Sequence, residues 1–231
     1  MNTDLPDFKK AMVDYFYLID KKYPEKGSLK LVGDRYKLTG DERTVLYRGI
    51  ASKLKSHDRN TRITCNIENK HLVLDGYNIL FTILNYLMGR FVFISSDGLC
   101  RDAGSLFGRI RKQTLFFDAL QLLAAFLEMN RPASVCIYYD SPVSFSGEHR
   151  IFTERLLTEK NINASVRVKH SADHEIKKET KGIVCTSDSA IIDHTNLSVA
   201  DLPLAILKLN YKAEFFNIRN FLDERGLLLT E

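Results

Sequence analysis

A chain of 231 residues, 45% of them apolar, can bury a full core and suits one large α/β domain or a medium domain with a small companion. The net charge of +4 is mildly basic, which permits an anionic partner without demanding one. No apolar run nears the ~18 residues of a membrane span, and residues 1–10 do not read as a signal peptide, so a cytoplasmic chain without membrane contact is expected. The cysteines at 65, 100, 136 and 185 have no zinc-ligand spacing and are expected as reduced thiols, with Cys136 and Cys185 in the core.

In the N-terminal third, Phe8, Met12, Tyr15, Phe16 and Ile19 recur at helical spacing and predict a helix closed by Pro24 and Gly27. Ser28 is placed to cap a second helix over 29–38. Thr39-Gly40 breaks that helix, and Thr39 or Asp41 opens a third over residues 41–54. Short helices joined by a glycine-containing turn resemble a helix-turn-helix. Arg43 and Arg48 on the third helix are then candidate contacts to nucleic acid, either as a DNA-reading helix or as part of a phosphate-facing strip. Asp41 and Glu42 stand where a DNA-reading helix favours basic groups, which speaks for a plain packing module instead. Residues 56–63 are polar and non-periodic, and they set the expected boundary between a helical domain (1–60) and an α/β domain (61–231).

From residue 71 short apolar runs alternate with helical patterns, as in a mainly parallel sheet. Strands are predicted at 72–75, 91–94, 134–139, 164–168, 182–186 and 213–216. Helices are predicted at 78–88, 115–129, 148–160, 173–178, from 188 to 194, and after Asp201, where Pro203 suits a first helical turn. The stretch 71–80, His-Leu-Val-Leu-Asp-Gly-Tyr-Asn-Ile-Leu, reads as a strand handing over to its crossover helix. Asp75 would stand at the strand's C-terminal edge, where ligands sit in open α/β sheets, and Asn78 would face the same crevice. An ordinary Asp-Gly turn explains that stretch equally well.

The pattern recurs: predicted strands finish on Asp75, Asp140 and Asp188, and Asp173 opens a short helix before the last of them. Parallel strands would bring these carboxylates to one edge. Like charges held together favour a bound cation. Oxygen ligands without His or Cys favour Mg²⁺ or Mn²⁺, and such ions can activate water and stabilise the leaving oxygen of a phosphodiester.

Asp75-Gly76-Tyr77-Asn78, Tyr139-Asp140-Ser141-Pro142, Ala172-Asp173 and Thr186-Ser187-Asp188 resemble motifs of the PIN/NYN-type nuclease superfamily. Nearly the whole chain is similar to an uncharacterised prokaryotic family. That family pairs a helical N-terminal domain of unknown function (here Lys30-Leu31-Val32-Gly33-Asp34-Arg35-Tyr36, Glu42-Arg43 and Leu46-Tyr47-Arg48) with a PIN-like C-terminal domain. The resemblance implies a three-layer α/β/α fold that cuts RNA, and in some members DNA. It implies Asp75, Asp173 and Asp188 as metal ligands and Asn78 as the holder of the first carboxylate or of a metal-bound water.

The acid that PIN domains carry in the helical region after the first strand has no clear counterpart here. The segment 97–104 could supply Asp97 or Asp102 to the metals, with Arg101 on a phosphate. It could equally be a hairpin turned by Asp97-Gly98 in which Arg101 pairs with Asp102. Residues 140–147 place Ser144, Ser146 and Gly147 before a helix, which suits either an anion held by backbone N–H groups or plain capping. Ser187 is expected to cap the helix that follows it. His149, His174 and His194 share no spacing and are expected at the surface. Tyr77 and Phe145 could stack on bases, but buried aromatics are the commoner outcome. The leading reading is a Mg²⁺- or Mn²⁺-dependent nuclease acting on RNA or single-stranded nucleic acid. The alternatives are a non-catalytic nucleic-acid or nucleotide-binding module and a helix-turn-helix regulator with a ligand-sensing domain.

Overall fold

In the computed structural model, residues 6–104 and 113–228 are described. The elements run, in chain order, α1 (Pro6–Asp20), α2 (Glu25–Arg35), α3 (Gly40–Gly49), α4 (Lys53–Thr61), β1 (His71–Asp75), α5 (Gly76–Leu87), β2 (Val92–Ile94), β3 (Cys100–Asp102), α6 (Gln113–Asn130), β4 (Ser134–Asp140), α7 (Ser146–Glu159), β5 (Ala164–Lys169), α8 (Ala172–Ile176), β6 (Ile183–Cys185), α9 (Ser189–Ile192), β7 (Ser198–Val199), α10 (Leu202–Tyr211), β8 (Phe216–Asn217) and α11 (Ile218–Asp223). Among the described residues they divide into two compact units: those up to 61, with 89–104 and those from 214 on, form one, and 62–88 with the described residues up to 213 form the other. No helix among the described residues is long and apolar enough to cross a membrane.

The first unit is built on α1, whose Phe8, Met12, Tyr15, Phe16 and Ile19 bury the predicted stripe. Against it pack Val45 and Leu46 of α3, Phe93 of β2, and Ile218, Phe221 and Leu222 of α11, all in one apolar cluster. Two departures from the sequence reading occur here. Helix α2 begins at Glu25 after Pro24, with no side-chain cap, so Ser28 lies inside the helix and is buried. The expected third helix ends at Gly49, and the stretch expected as a linker is helix α4. The faces of α4 turned inward are Ser56 and Arg59, held by hydrogen bonds rather than apolar contact, so no hydrophobic period marks it. Thr39 caps α3 as foreseen, in a reciprocal capping box with Glu42.

Strand β2 pairs antiparallel with β3 and parallel with β8, giving a small sheet of order β3-β2-β8. The first unit is thus discontinuous in sequence. The hairpin and the C-terminal strand share the core of α1 and α3, because Phe93, Ala103 and Ile218 are apolar faces with that cluster as their place of burial.

The second unit is an α/β layer structure on a five-stranded parallel sheet of order β5-β4-β1-β6-β7. Residues of β1, β4 and β6 are buried on both faces, which is why their sequences are continuous apolar runs rather than alternating ones. One face is covered by α8 and α9: Val73, Cys136, Tyr138 and Val184 meet Ala172, Ile176 and Ile191. On the other face Ile137 and Tyr139 lie against Gly76 at the start of α5, where a Cβ would come within 2.3 Å of the Tyr139 ring. Tyr139 also shares a hydrogen bond with Thr153 of α7. After β1 the chain builds outward through β4 and β5. It then crosses back to add β6 and β7 on the opposite side of β1. The direction of winding reverses between β1 and β6, so their C-terminal ends flank the crevice where open α/β sheets bind ligands. Cys100, Cys136 and Cys185 are buried and Cys65 is exposed, all as free thiols.

Candidate functional site

Asp75 ends β1 and caps α5, its carboxylate accepting from Asn78 N at 3.4 Å. It is 4% exposed. Its other oxygen accepts from the Thr186 hydroxyl at 2.9 Å, and that same Thr186 oxygen accepts from Asp188 N at 3.1 Å. Thr186 thus ties the end of β1 to the turn after β6. Asn78 makes the second tie, its side-chain oxygen accepting from Ser187 N at 2.9 Å and from the Ser187 hydroxyl at 3.0 Å. Asp188 caps the short helix α9, accepting from Ala190 N at 2.6 Å and Ile191 N at 3.3 Å. Ser187, expected in that capping role, is instead turned to Asn78. Asp140, at the end of β4, accepts from Ala172 N at 2.8 Å and so fixes the first turn of α8, where Asp173 stands.

Burial pushes the Asp75 carboxyl up from 3.8 to about 8; the Thr186 hydrogen bond opposes the rise, and the charges of Asp173 and Asp188 add to it. Asp173 is also raised, first by burial and then by Asp188 and Asp140, with Lys177 as a partial offset. The acids foreseen from the strand ends therefore stand close enough to repel one another at the β1/β6 crevice. The ion pairs found among the described residues involve none of Asp75, Asp140, Asp173 and Asp188. Ionising Asp75 beside these acids is therefore disfavoured without added positive charge. The arrangement does not close a ligand cage, however. Among the described residues no group of three or more His, Cys, Asp or Glu side chains could hold a metal ion.

The remaining candidates lie elsewhere. Asp97, Arg101, Asp102, Arg43 and Arg48 all belong to the first unit. Asp97 is fully buried and bonded to both Arg101, at 2.8 Å, and Arg59, at 3.0 Å. Burial alone would raise its carboxyl, but the two guanidinium groups and the Ser95 hydroxyl hold it well below the usual carboxylate range. The segment forms the hairpin expected as one alternative, and Arg101 pairs across the turn with Asp97. Asp102 is bonded to Arg48 at 3.0 Å, and Arg43 to Asp34 at 3.0 Å and to the Leu38 carbonyl. These side chains are committed to holding the first unit together.

In the loop 140–147, the N–H groups of Val143 and Ser146 are used within the turn, donating to the carbonyls of Asp140 and Val143. The Ser146 hydroxyl donates to the Ser141 carbonyl at 3.4 Å. The cap of α7 is Phe145, in the left-handed region at φ 66°, with Ser144 before it and Gly147 inside the first turn. Phe145, in the cap position, makes no side-chain cap bond, and two of the N–H groups an anion would need are taken.

His149, expected at the surface, is buried on α7. Its Nδ1 shares a 2.9 Å hydrogen bond with the Tyr77 hydroxyl, and its ring stacks on Phe116. Burial lowers its pKa from 6.5 to about 4. Tyr77 is itself buried between Phe81 and Tyr139 and has no face for a base. The residues that the sequence reading missed are Thr186 and Ser187 as ties between the two strand ends. Their signal was present, as two hydroxyls between a buried strand and an acid.

A family model described as "Protein of unknown function (DUF434)" matches residues 7–62, and one described as "Domain of unknown function (DUF5616)" matches residues 64–204. An uncharacterized protein of Methanocaldococcus jannaschii, MJ0935, is 28% identical over 197 residues, which cover 84% of this chain and 93% of that protein. No solved structure matches the chain.

Proposed function

The chain belongs to the family of the domain of unknown function DUF5616, a description that names no activity, and from the site itself we propose a metal-dependent nuclease that hydrolyses phosphodiester bonds in RNA or single-stranded nucleic acid. The observation that carries this reading is the buried Asp75, raised to about 8, with Asp173 and Asp188 acting on it at the reversal point of a parallel sheet. Asp75, Asp173 and Asp188 do not form a ready three-ligand group among the described residues; in this reading they are the carboxylates that would draw in Mg²⁺ or Mn²⁺. When bound, the ion supplies an activated water and offsets charge on the leaving oxygen.

The chain's own groups have distinct parts in this reading. Thr186 fixes the orientation of the Asp75 carboxylate and, through Asp188 N, the start of α9. Ser187 holds the Asn78 oxygen, which leaves the Asn78 amide hydrogens as the donors that side chain can offer to a phosphate or a water. Asp140 acts on the site through α8, as a positioning group for Asp173.

The test is cleavage of an unstructured RNA by the full chain with Mn²⁺ and with EDTA. Cleavage that needs Mn²⁺ and disappears in Asp75→Asn is expected; cleavage that persists unchanged in that variant discards the assignment. A second reading, a nucleic-acid-binding module of the same shell without catalysis, is favoured by the lack of a three-ligand group among the described residues. RNA binding by wild-type chain that cleaves nothing would select it.

A further inference from the structure

The opposite rim of the parallel sheet carries a second feature. Strands β1, β6 and β7 begin there, at His71, Ile183 and Ser198. Their starts, with the loop leading into β1, enclose a cleft of about 470 Å³. Its charged lining is Lys70 and Lys181, joined by His71, and no carboxylate lines it. Thr64, Asn66 and Asn69 add hydroxyl and amide groups. Both lysines are exposed and are absent from the ion pairs found among the described residues.

The backbone here is shaped for close approach. Asn69 takes φ 54°, and Gly182 takes φ 99° with its Cβ position 2.7 Å from the His71 carbonyl, so only glycine brings the Lys181 segment this near to β1. Such a lining matches one ligand chemistry: two ammonium groups for negative charge, and neutral donors and acceptors for hydroxyls. Ile183 is the apolar side chain of the lining and His71 its aromatic ring, so the cleft lacks the paired aromatic platforms on which bases stack. The cleft is open to solvent, and its volume lies within the range of small-molecule sites.

We propose that this cleft binds the phosphate groups of a small phosphorylated ligand, such as a sugar phosphate or a diphosphate. The site is separate from the acidic crevice. The five residues of β1 lie between them, and four steps of strand span about 13 Å. Each can be tested without the other, since the acidic crevice repels the same anions this rim attracts.

The probe is inorganic pyrophosphate, titrated calorimetrically into the full chain at low salt in the presence of EDTA. Binding is expected that weakens as salt rises. It should fall by at least about tenfold in the Lys70→Ala/Lys181→Ala double variant, which loses two charge-assisted contacts, and recover in Lys70→Arg/Lys181→Arg. The recovery separates a charge effect from a folding defect. The proposal is overturned if wild type binds no pyrophosphate, if the alanine pair binds it as tightly as wild type, or if the arginine pair fails to recover while melting normally. It is also overturned if the two lysines prove necessary for binding a single-stranded oligonucleotide while pyrophosphate is ignored, which would make the rim a nucleic-acid contact.

Discussion

Replacing Asp75 by Asn should change how stability depends on pH, in a direction opposite to intuition about losing a site residue. The folded chain holds the Asp75 proton up to about pH 8, against 3.8 for a solvated carboxyl. Below the lower value both folded and unfolded chains carry the proton, and the group is neutral to stability. Between the two values the unfolded chain releases a proton that the folded chain keeps, so stability falls as pH rises, by about 1.4 kcal/mol per pH unit. Across the full window this reaches about 6 kcal/mol. Relaxation and water entry around buried charge reduce such figures, so about 2–3 kcal/mol is the working expectation. Asn cannot ionise, and its carbonyl oxygen can still accept from Thr186. The Asp75→Asn chain should therefore gain on wild type by about 2–3 kcal/mol between pH 5 and pH 8, measured by urea unfolding at fixed ionic strength in EDTA. Adding Mn²⁺ should narrow the gap at pH 8, by stabilising the ionised wild type alone. Parallel stability curves for the two chains would refute the buried, proton-holding state of Asp75, and with it the electrostatic case for the site.

Two further outcomes concern other acids. Asp188 both caps α9 and belongs to the acidic crevice, so Asp188→Asn should keep its capping bonds while Asp188→Ala loses about 1 kcal/mol in unfolding assays, and both should lose any Mn²⁺-dependent cleavage. Asp97→Ala strands Arg59 and Arg101 in the interior and should cost about 3–5 kcal/mol. In wild type the contribution of Asp97, whose carboxyl is held low, is present above its unfolded value of 3.8 and is lost as pH falls below it, which acid titration of the unfolding free energy would register.

The parts of the molecule that sequence made legible are those whose signal is local. The apolar run into Asp75-Gly76, the stripe of α1 and the Asp201 cap of α10 each depend on a few consecutive or helically spaced residues, and each is present. The illegible parts depend on partners far along the chain. Helix α4 buries Ser56 and Arg59, which a search for apolar periodicity passes over, and Arg59 meets Asp97, 38 residues later. Strand β8 has two residues, and its partner β2 lies more than a hundred positions upstream, so nothing nearby says that it leaves the larger sheet. At the crevice, Asp75 is legible as the end of a strand, whereas Asp188, expected at the end of another, stands past β6 as the cap of α9. The division of labour was not legible: whether Ser187 or Asp188 caps α9 is decided by Asn78, 109 residues earlier.

The three-piece make-up of the first unit has a consequence for how the chain comes to exist. Its helices α1 and α3 precede the α/β sheet in the chain, yet Ile218, Phe221 and Leu222, which complete their apolar cluster, follow it. The intervening α/β sheet is synthesised whole before that closure is possible. A fragment cut at the limits of the DUF434 match, residues 7–62, would separate the helices from Ile218, Phe221 and Leu222, so biochemical dissection belongs on the full 231-residue chain.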